Sequence, residues 1–311
     1  MTGNNIDKKK VLVSGATGFI GSHIVRSLLA HGYDVYAIYR ATSSFSRCLD
    51  IYEDINWINL NKSNWKEKII RTEPDIYIHS AWNGIESENR KNWIVQIRNF
   101  HFSMEVYDLV RKSGVKKIIA FGSQAEYGAQ AYPVDESTVL NPDEAYGAIK
   151  TLCLNYLRNL CAGNNIEWYW IRVFSIFGEG DRSNGLIPTV ILKLLKHEPI
   201  QLTDCTQQYN YLYIKEFSEQ IINIVKCGEN NSGIYNICDS KSVVLKDLLV
   251  QIAKILHVST RLLQFGTIPQ RKGQNMIITG DNSKYLNTYM IKDSSFACLT
   301  EGLIKTIESY Q

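Results

Sequence analysis

The sequence has few of the features that mark membrane, secreted or metal-binding proteins. No apolar run approaches the roughly 20 residues of a membrane helix, and no apolar signal core follows the polar start MTGNNIDKKK. The 7 cysteines are odd in number and form no CxxC, and the 6 histidines form no HExxH. We therefore expect no disulfide framework, no metal site and a reducing, cytoplasmic location.

An excess of charge of one sign is also lacking. The chain has 34 basic and 31 acidic residues, a net charge of +3, which gives no electrostatic reason to expect nucleic acid or an anionic membrane as a partner. Its 311 residues suffice for one large or two smaller domains, and 45% hydrophobic residues can form an ordinary core.

A strand, a glycine-rich turn and a helix follow one another in KVLVSGATGFIG, residues 10–21. Glycine lets a phosphate approach the backbone, and a helix start offers N–H groups and partial positive charge to a pyrophosphate. The spacing GxxGxxG differs from the commoner GxGxxG, and glycine needed only for packing is the alternative. The flanking strand and helix favour dinucleotide binding. The predicted cofactor residues of this stretch are Gly15, Thr17, Gly18, Phe19, Ile20 and Gly21.

The remainder of the first half alternates strands with helices. Strands are predicted over 34–39, 55–60, 75–81, 117–122 and 168–174, and helices over 65–71, 92–112 and 146–161. This alternation predicts the α/β class, with a Rossmann-type doubly wound parallel sheet. Ligands then bind beyond the carboxyl ends of the strands.

The second half is less regular and predicts a smaller, mixed α/β substrate lobe. Helices are predicted over 187–197, 217–226, 244–256 and 301–310, and a strand over 209–214. We expect a cofactor-binding domain over 1–174 and a mainly substrate-binding lobe over 175–311, with about 205–230 returning to the first domain.

The end of the second predicted strand bears on the choice of cofactor. A carboxylate there binds the ribose 2′-hydroxyl of NAD, whereas an arginine accommodates the 2′-phosphate of NADP. The acidic position holds Tyr39, and Arg40 follows it. Although Arg40 could be an ordinary surface residue, the missing carboxylate favours NADP(H) over NAD(H).

Tyr146 and Lys150, in YGAIK, are spaced to lie on one face of a helix. A free tyrosine has a pKa of about 10, and a nearby ammonium lowers that pKa by stabilising the phenolate. Such a tyrosine can exchange a proton with a carbonyl or alcohol oxygen. Tyr211 and Lys215 have the same spacing, but alternation around them predicts a strand, which separates the two side chains.

Ser123 follows the strand predicted over 117–122, at a position where a ligand-facing loop is expected. Its hydroxyl could hydrogen-bond the oxygen on which Tyr146 acts. A serine after a strand is more often a cap or turn residue.

Together these motifs resemble the extended short-chain dehydrogenase/reductase family, in its nucleotide-sugar branch. The matching segments are GATGFIG at 15–21, HSA at 79–81, Asn99, GSQAEYG at 122–128, YGAIK at 146–150 and IRVFSIFGEGD at 171–181, with weaker matches at 210–216, 235–240 and 301–307. The resemblance implies that Ser123, Tyr146 and Lys150 are catalytic. It implies that Arg40, Ala81, Asn99, Tyr146 and Lys150 complete the cofactor site, with Ala81 beside the nicotinamide ribose and Asn99 supporting water or backbone near Lys150. It implies a substrate site containing Trp82, Ser123, Gln124, Tyr146 and Ser175.

Departures from the family pattern narrow the expected activity. Members that dehydrate sugars carry an Asp-Glu pair where this chain has Gln124 and Ala125, neither of which can act as a general acid or base. Glu126 comes one position too late to replace them, so we do not expect a 4,6-dehydratase. Tyr209-Asn210 and Ser175 stand where relatives contact the sugar nucleotide, so the nucleotide base is not predicted.

The resemblance therefore implies an NADPH-dependent reductase of the C4 ketone of a nucleotide-linked 4-keto-6-deoxyhexose, with CDP- and dTDP-sugars favoured. The product would be a 6-deoxyhexose nucleotide for a surface polysaccharide. A nucleotide-sugar 4-epimerase is the alternative enzyme, and a catalytically inactive dinucleotide-binding regulator is the alternative from another class. The resemblance also implies a homodimer formed through the two long helices over 92–112 and 146–161.

Overall fold

The protein is described by a computed structural model over residues 8–228, 231–270, 273, 275–291 and 299–311. Within these ranges no helix is both long and apolar enough to span a bilayer. The same residues include no group of three or more His, Cys, Asp or Glu side chains placed to hold a metal ion. Cys298 lies outside the described residues.

The chain forms two compact units, each built from three separate segments. The first unit contains Met1–Glu126, Pro142–Ile171 and Ser218–Ile234. The second contains Tyr127–Asn141, Arg172–Phe217 and Tyr235–Gln311. The domain bounds expected from the sequence stay a prediction.

Strands and helices alternate along most of the chain. The strands are β1 (Lys10–Ser14), β2 (Asp34–Tyr39), β3 (Asn56–Asn59), β4 (Ile76–His79), β5 (Lys117–Ser123), β6 (Glu167–Val173), β7 (Ser175–Phe177), β8 (Ile200–Gln201), β9 (Gln208–Tyr209), β10 (Tyr211–Tyr213), β11 (Gly233–Ile237), β12 (Val243–Val244), β13 (Leu263–Gln264) and β14 (Ile277–Ile278). The helices are α1 (Phe19–Ala30), α2 (Trp65–Thr72), α3 (Ser87–Arg90), α4 (Trp93–Lys112), α5 (Ala145–Ala162), α6 (Leu186–Leu195), α7 (Ile214–Lys226), α8 (Leu245–Ile255), α9 (Ser283–Thr288) and α10 (Leu299–Glu308).

A seven-stranded sheet in the order β11-β6-β5-β4-β1-β2-β3 forms the framework of the first unit, and the chain leaves that unit within β6 and within β11. The pairings β3-β2, β2-β1, β1-β4 and β4-β5 are all parallel. The strand order runs one way from β1 to β3 and the other way from β4 to β6, so the order reverses between β1 and β4. A crevice for a ligand opens at such a reversal, beyond the carboxyl ends of the strands. The predicted α/β class and Rossmann-type sheet are therefore confirmed.

The central strands are apolar because helices cover both faces of the sheet. All four residues of β4 and all seven of β5 are buried. Val106 and Val110 of α4 and Leu157 of α5 are fully buried in the same hydrophobic cluster as Leu12 of β1. Burial of each such side chain stabilises the fold by roughly 1.5–3 kcal/mol, which fixes α4 and α5 against the sheet.

A buried polar network at His79 joins the end of β4 to its neighbours. His79 Nδ1 lies 2.9 Å from Ser14 Oγ on β1 and 2.8 Å from the Tyr77 hydroxyl, and Nε2 lies 2.9 Å from Ser103 Oγ on α4. Burial, reinforced by the charge of Lys150, lowers the pKa of His79 to about 3. This favours the neutral imidazole at physiological pH, whose two nitrogens link β4 to side chains of β1 and α4.

The second unit contains short strands in small sheets. β10 pairs with β7 and β13 with β8, both in parallel, while β9 lies between antiparallel β12 and parallel β14. Together with α6, α8, α9 and α10, these strands give the mixed α/β composition predicted for the second half.

The single strand predicted over 209–214 is wrong in its extent. β9 ends at Tyr209, β10 begins at Tyr211, and Ile214 already starts α7. The strand divides at Asn210 because β9 pairs with β12 and β14, whereas β10 pairs with β7. The Asn210 side chain is held at this point, since its Nδ2 donates to Asp239 O at 2.7 Å and its Oδ1 accepts Gly280 N–H at 2.9 Å. Tyr211 and Lys215 therefore lie on different elements, and the expectation that they form no helical pair is confirmed.

Candidate active site

The glycine turn after β1 lies against the backbone that follows β4. Gly15 has a φ of +77°, and a Cβ placed on it would come within 2.6 Å of Ala81 N. Gly18 N–H donates to Gly15 O at 3.0 Å, and α1 begins at the next residue with no side-chain cap. The first N–H groups of α1 therefore have no intrahelical acceptor. They give this end of the helix the character of an anion site.

A cavity of about 410 Å³ opens beside this turn. It is lined by Ser14, Gly15, Thr17, Gly18, Ile38, Tyr39, Arg40, Ser43, Leu60, Ser80, Ala81, Trp82, Asn83, Val95, Arg98, Asn99 and Phe102. The predicted cofactor residues Gly15, Thr17, Gly18, Arg40, Ala81 and Asn99 are thus brought together, and Phe19, Ile20 and Gly21 form the adjoining first turn of α1. A side chain at Gly15 or Gly21 would collide with backbone, so this turn can pack closely only with glycine at both positions. Such a turn is typical of folds that bind a dinucleotide.

Tyr146 and Lys150 lie in the first half of α5, where both side chains are buried. Lys150 Nζ is 5.8 Å from the centre of the Tyr146 ring. The Trp82 ring stands nearly perpendicular to the Tyr146 ring, with 5.9 Å between their centres. The structure therefore groups Trp82, Tyr146 and Lys150, as the sequence predicted for Tyr146 and Lys150.

Lys150 is held by a backbone carbonyl and an aromatic face. Its Nζ donates to Phe121 O on β5 at 2.5 Å and lies 3.5 Å from the centre of the Trp82 ring. Burial lowers the pKa of Lys150 to about 7, with Cys153 and Glu126 acting in the opposite direction. The ammonium is therefore close to its titration point at neutral pH.

The hydroxyl of Ser123 lies at the carboxyl end of β5 in a fixed turn. Ser123 Oγ accepts Ala125 N–H at 3.2 Å, and Ser123 N–H donates to Glu126 Oε1 at 2.8 Å. Glu126 Oε1 also accepts Trp170 Nε1–H at 2.9 Å. A Cβ at Gly147 of α5 would collide with Ala125 O, so α5 packs closely on this turn. Ser123 and Tyr146 thus belong to adjoining segments.

Two amides of α4 hold the segment 82–90, which follows β4. Asn99 Oδ1 accepts Asn83 N–H and Asn99 Nδ2 donates to Asn83 O, both at 2.9 Å. Gln96 Oε1 accepts Trp82 Nε1–H at 2.8 Å, and Gln96 Nε2 donates to Gly84 O at 2.8 Å and to Asn89 O at 2.9 Å. Asn99 is thus anchored to the segment that carries Trp82, and its predicted support of Lys150 stays a prediction.

The remaining predicted substrate residues lie in different units. Gln124 begins the short 3₁₀ turn Gln124–Glu126 of the first unit, where it is half-buried. Ser175 begins β7 in the second unit, where it pairs with Tyr211. Their roles stay predictions.

Three residues of this region have surroundings that the sequence does not indicate. Gln96 and Arg90 carry no motif, and only the polar side chain of Gln96 within an apolar helix pattern could have pointed to a buried role. Glu126 was considered only as a replacement for the dehydratase carboxylates. In the structure Glu126 is completely buried beside Ser123, where its carboxylate accepts hydrogen bonds. No spacing rule in the sequence indicates this position.

The protein has a glycine turn where the strand order of a doubly wound sheet reverses, and a buried Tyr and Lys lie one helical turn apart. These features are typical of dinucleotide-binding oxidoreductases with a Rossmann-type fold. The chain belongs to the NAD dependent epimerase/dehydratase family, whose sequence model matches residues 11–238. The expected place in the nucleotide-sugar branch of the extended short-chain dehydrogenases/reductases is thereby confirmed.

Two relatives and one solved structure illustrate the range of this family. The chain is 26% identical to dTDP-6-deoxy-L-talose 4-dehydrogenase (NAD(+)) of Aggregatibacter actinomycetemcomitans, over 87% of this chain and 98% of that protein. It is 24% identical to dTDP-4-dehydro-6-deoxyglucose reductase of Escherichia coli, over 79% and 81% of the two chains. The structure of UDP-N-acetylglucosamine 4-epimerase from Methanobrevibacter ruminantium M1 superposes with a TM-score of 0.85 at 23% identity, covering 97% and 98% of the chains.

Replacing Gly15 with Ala should weaken dinucleotide binding by about tenfold or more. The added Cβ would lie 2.6 Å from Ala81 N at a φ of +77°, so the turn must open to relieve the contact. Titration of the cofactor, followed by its fluorescence, measures the change.

Gly32→Ala is the matched control, because Gly32 has a φ of +80° but nothing within 4 Å of a built Cβ. It should lower stability by about 1 kcal/mol and leave cofactor affinity unchanged. Wild-type affinity in Gly15→Ala, or an equal loss in both variants, would show that the turn does not hold the cofactor.

Proposed function

We propose that the protein reduces the C4 ketone of a nucleotide-linked 4-keto-6-deoxyhexose to an alcohol, with NADPH as cofactor. The observation that carries the proposal is that Tyr146 and Lys150 lie close together on a helix packed against the Ser123 turn. The glycine-lined cavity belongs to the same unit of the protein. The names of the dTDP-4-dehydro-6-deoxyglucose reductase and the dTDP-6-deoxy-L-talose 4-dehydrogenase support the same carbon and the same class of sugar.

In the proposed reaction the bound dinucleotide supplies the hydride that C4 receives. Tyr146 donates its phenolic proton to the C4 oxygen as negative charge develops there. Ser123 Oγ already accepts Ala125 N–H, so its own O–H can donate to the same oxygen and stabilise that charge. Lys150 favours the phenolate left on Tyr146. Solvent then returns a proton to Tyr146, which completes the conversion of ketone to alcohol.

The lining of the cavity supports NADP(H) as the cofactor. Arg40 and Ser43 line it beside Tyr39, at the position where NAD-binding relatives of this fold carry a carboxylate. Arg40 N–H donates to Ser43 Oγ at 3.1 Å, which turns this loop back on itself. An arginine matches a phosphate by several charge-assisted hydrogen bonds. NAD(H) is the alternative, since one relative's name specifies NAD(+).

Arg40→Gln should weaken NADPH binding by about tenfold, because it removes the charge-assisted hydrogen bonds to the 2′-phosphate. NADH has no 2′-phosphate, so its affinity should stay unchanged. Arg47→Gln is the control, because Arg47 belongs to the same loop but does not line the cavity. Equal losses for NADPH and NADH, or an NADH affinity above that of NADPH in the wild-type protein, would contradict the assignment of NADP(H).

The same site leaves a 4-epimerase as the second candidate function. The superposable UDP-N-acetylglucosamine 4-epimerase supports it at the level of the fold. An epimerase returns the hydride it removes, so it consumes no cofactor. Gln124 and Ala125 in the Ser123 turn remain the reason for not proposing a dehydratase, since neither side chain can move a proton.

A panel of CDP-, dTDP-, GDP- and UDP-linked 4-keto-6-deoxyhexoses, each incubated with NADPH or NADH, tests the proposed reaction. One sugar nucleotide should oxidise NADPH in equal amount, as the fall in cofactor absorbance measures, and should yield a 4-hydroxy product by mass spectrometry. Interconversion of C4 epimers without cofactor loss would favour the epimerase. Failure of every sugar would overturn the substrate class.

Tyr146→Phe should lower kcat by about 10²- to 10⁴-fold, the usual contribution of a general acid, with little change in NADPH affinity. The phenyl ring retains the packing against Trp82, so the substitution removes the hydroxyl that carries the transferable proton. Tyr156→Phe, on the same helix, is the control and should keep wild-type kcat. A comparable rate in Tyr146→Phe would show that another group supplies the proton.

A homodimer formed through α4 and α5 is part of the proposal. α4 exposes Trp93, Ile94 and Ile97, and α5 exposes Leu152. Exposed apolar side chains on a pair of packed helices are typical of a subunit interface.

Ile97→Glu should convert the dimer to a monomer, as light scattering after size exclusion would measure, because it places a charge in the apolar contact. Ile304→Glu on α10 is the control, since Ile304 is 38% exposed and Ile97 39%. A monomeric wild-type protein, or a dimer that survives Ile97→Glu, would contradict this interface.

A further inference from the structure

Arg90 lies against the aromatic ring of Tyr146. Its guanidinium carbon is 4.5 Å from the ring centre, within the range of a cation–π interaction. Arg90 ends the short helix α3, in the segment 82–90 that Gln96 and Asn99 of α4 hold in place. The contact between Arg90 and Tyr146 is therefore supported by the hydrogen bonds that hold the backbone of the segment 82–90.

Glu144 fixes the orientation of this guanidinium. Arg90 Nε donates to Glu144 Oε2 at 2.6 Å, and the two side chains are only 26% and 22% exposed. Glu144 directly precedes α5, two residues before Tyr146. One carboxylate thus holds the cation and partly offsets its charge at the phenol.

Two cations consequently act on the Tyr146 ring. Lys150 of α5 approaches it at 5.8 Å and Arg90 of α3 at 4.5 Å, both measured to the ring centre. Glu144, next to the start of α5, faces Arg90, and Glu126, from the turn after β5, acts on Lys150. The third neighbour of the Tyr146 ring is the uncharged Trp82 ring, which is nearly perpendicular to it. Lys150 also donates to Phe121 O and lies over the Trp82 face, and Arg90 is the nearer of the two cations to the centre of the Tyr146 ring.

We propose that Arg90 is a positioning residue that tunes the acidity of Tyr146, with Glu144 as its counter-charge. The inference rests on the proposed role of Tyr146 as the proton donor and adds a second determinant of that role to Lys150. A guanidinium near the phenol stabilises the phenolate and lowers its pKa, whereas a carboxylate on that guanidinium raises it. Removing Arg90 and removing Glu144 must therefore shift the acidity of Tyr146 in opposite directions.

The experiment is a titration of Tyr146 in the intact protein without substrate. Tyrosinate absorbance in the near ultraviolet is recorded against pH for each variant and for the same variant carrying Tyr146→Phe, and the difference isolates Tyr146. Arg90→Met should raise the apparent pKa of Tyr146 by roughly one pH unit. Glu144→Gln should lower it by a smaller amount, and Arg90→Lys, which keeps the charge without the planar stack, should stay near the wild-type value.

Arg26→Met is the control, because Arg26 on α1 forms an arginine–carboxylate pair with Asp50 that is more exposed and does not involve Tyr146, and it should leave the titration unchanged. Shifts of the same sign in Arg90→Met and Glu144→Gln, or no shift in either, would mean that the pair only supports the local fold and would overturn the inference. If Arg90→Met unfolds, a lowered pKa of Tyr146 in Glu144→Gln together with a near wild-type pKa in Arg90→Lys supports the inference, and a raised or unchanged pKa in Glu144→Gln overturns it.

The titration also separates this inference from the proposed function. It needs no sugar nucleotide, so opposite shifts with no turnover in the substrate panel would uphold the role of Arg90 and reject the substrate class. Where turnover is found, the pH at which kcat/KM changes should move with the titrated pKa in each variant.

Discussion

The buried ammonium of Lys150 is the constraint on which the candidate site depends. A cation removed from water must be compensated by its surroundings, and here a carbonyl of β5 and the face of Trp82 provide that compensation. Trp82 is in turn held by Gln96 of α4. Contacts from β5 and from the segment after β4, which α4 supports, thus meet at one side chain of α5, and the burial of that side chain lowers the pKa of Lys150 to about 7.

The sequence predicts those helices and strands whose hydrophobic period and end signals lie within the element itself. β2 occupies the predicted residues 34–39, and α4 begins one residue after its predicted start, because Asn92 caps it by accepting Ile94 and Val95 N–H groups. The glycine turn was predictable for a similar reason, since the strand, turn and helix are consecutive. α5 begins at Ala145, one residue before its predicted start at residue 146.

Features that depend on contacts distant in the sequence were not predictable. α3 has only four residues, too few for a hydrophobic period, and the position of Arg90 depends on a carboxylate 54 residues away. Glu126 reads as an ordinary surface acid in sequence, yet its oxygen satisfies the N–H of Ser123 and the indole of Trp170. The alternating stretch 209–214 likewise divides at Asn210, because β9 pairs with β12 and β14 whereas β10 pairs with β7. In each case a tertiary partner overrides the local pattern.

The division of each compact unit into three chain segments has a consequence for synthesis of the protein. The first unit includes Ser218–Ile234, so its last contacts are not available until that segment has left the ribosome. The glycine turn and α5 are therefore synthesised before the segment that completes their unit, and the middle segment of the second unit is made in between. A shortened gene that ends after β6 would lack part of both units and encode no complete folding unit.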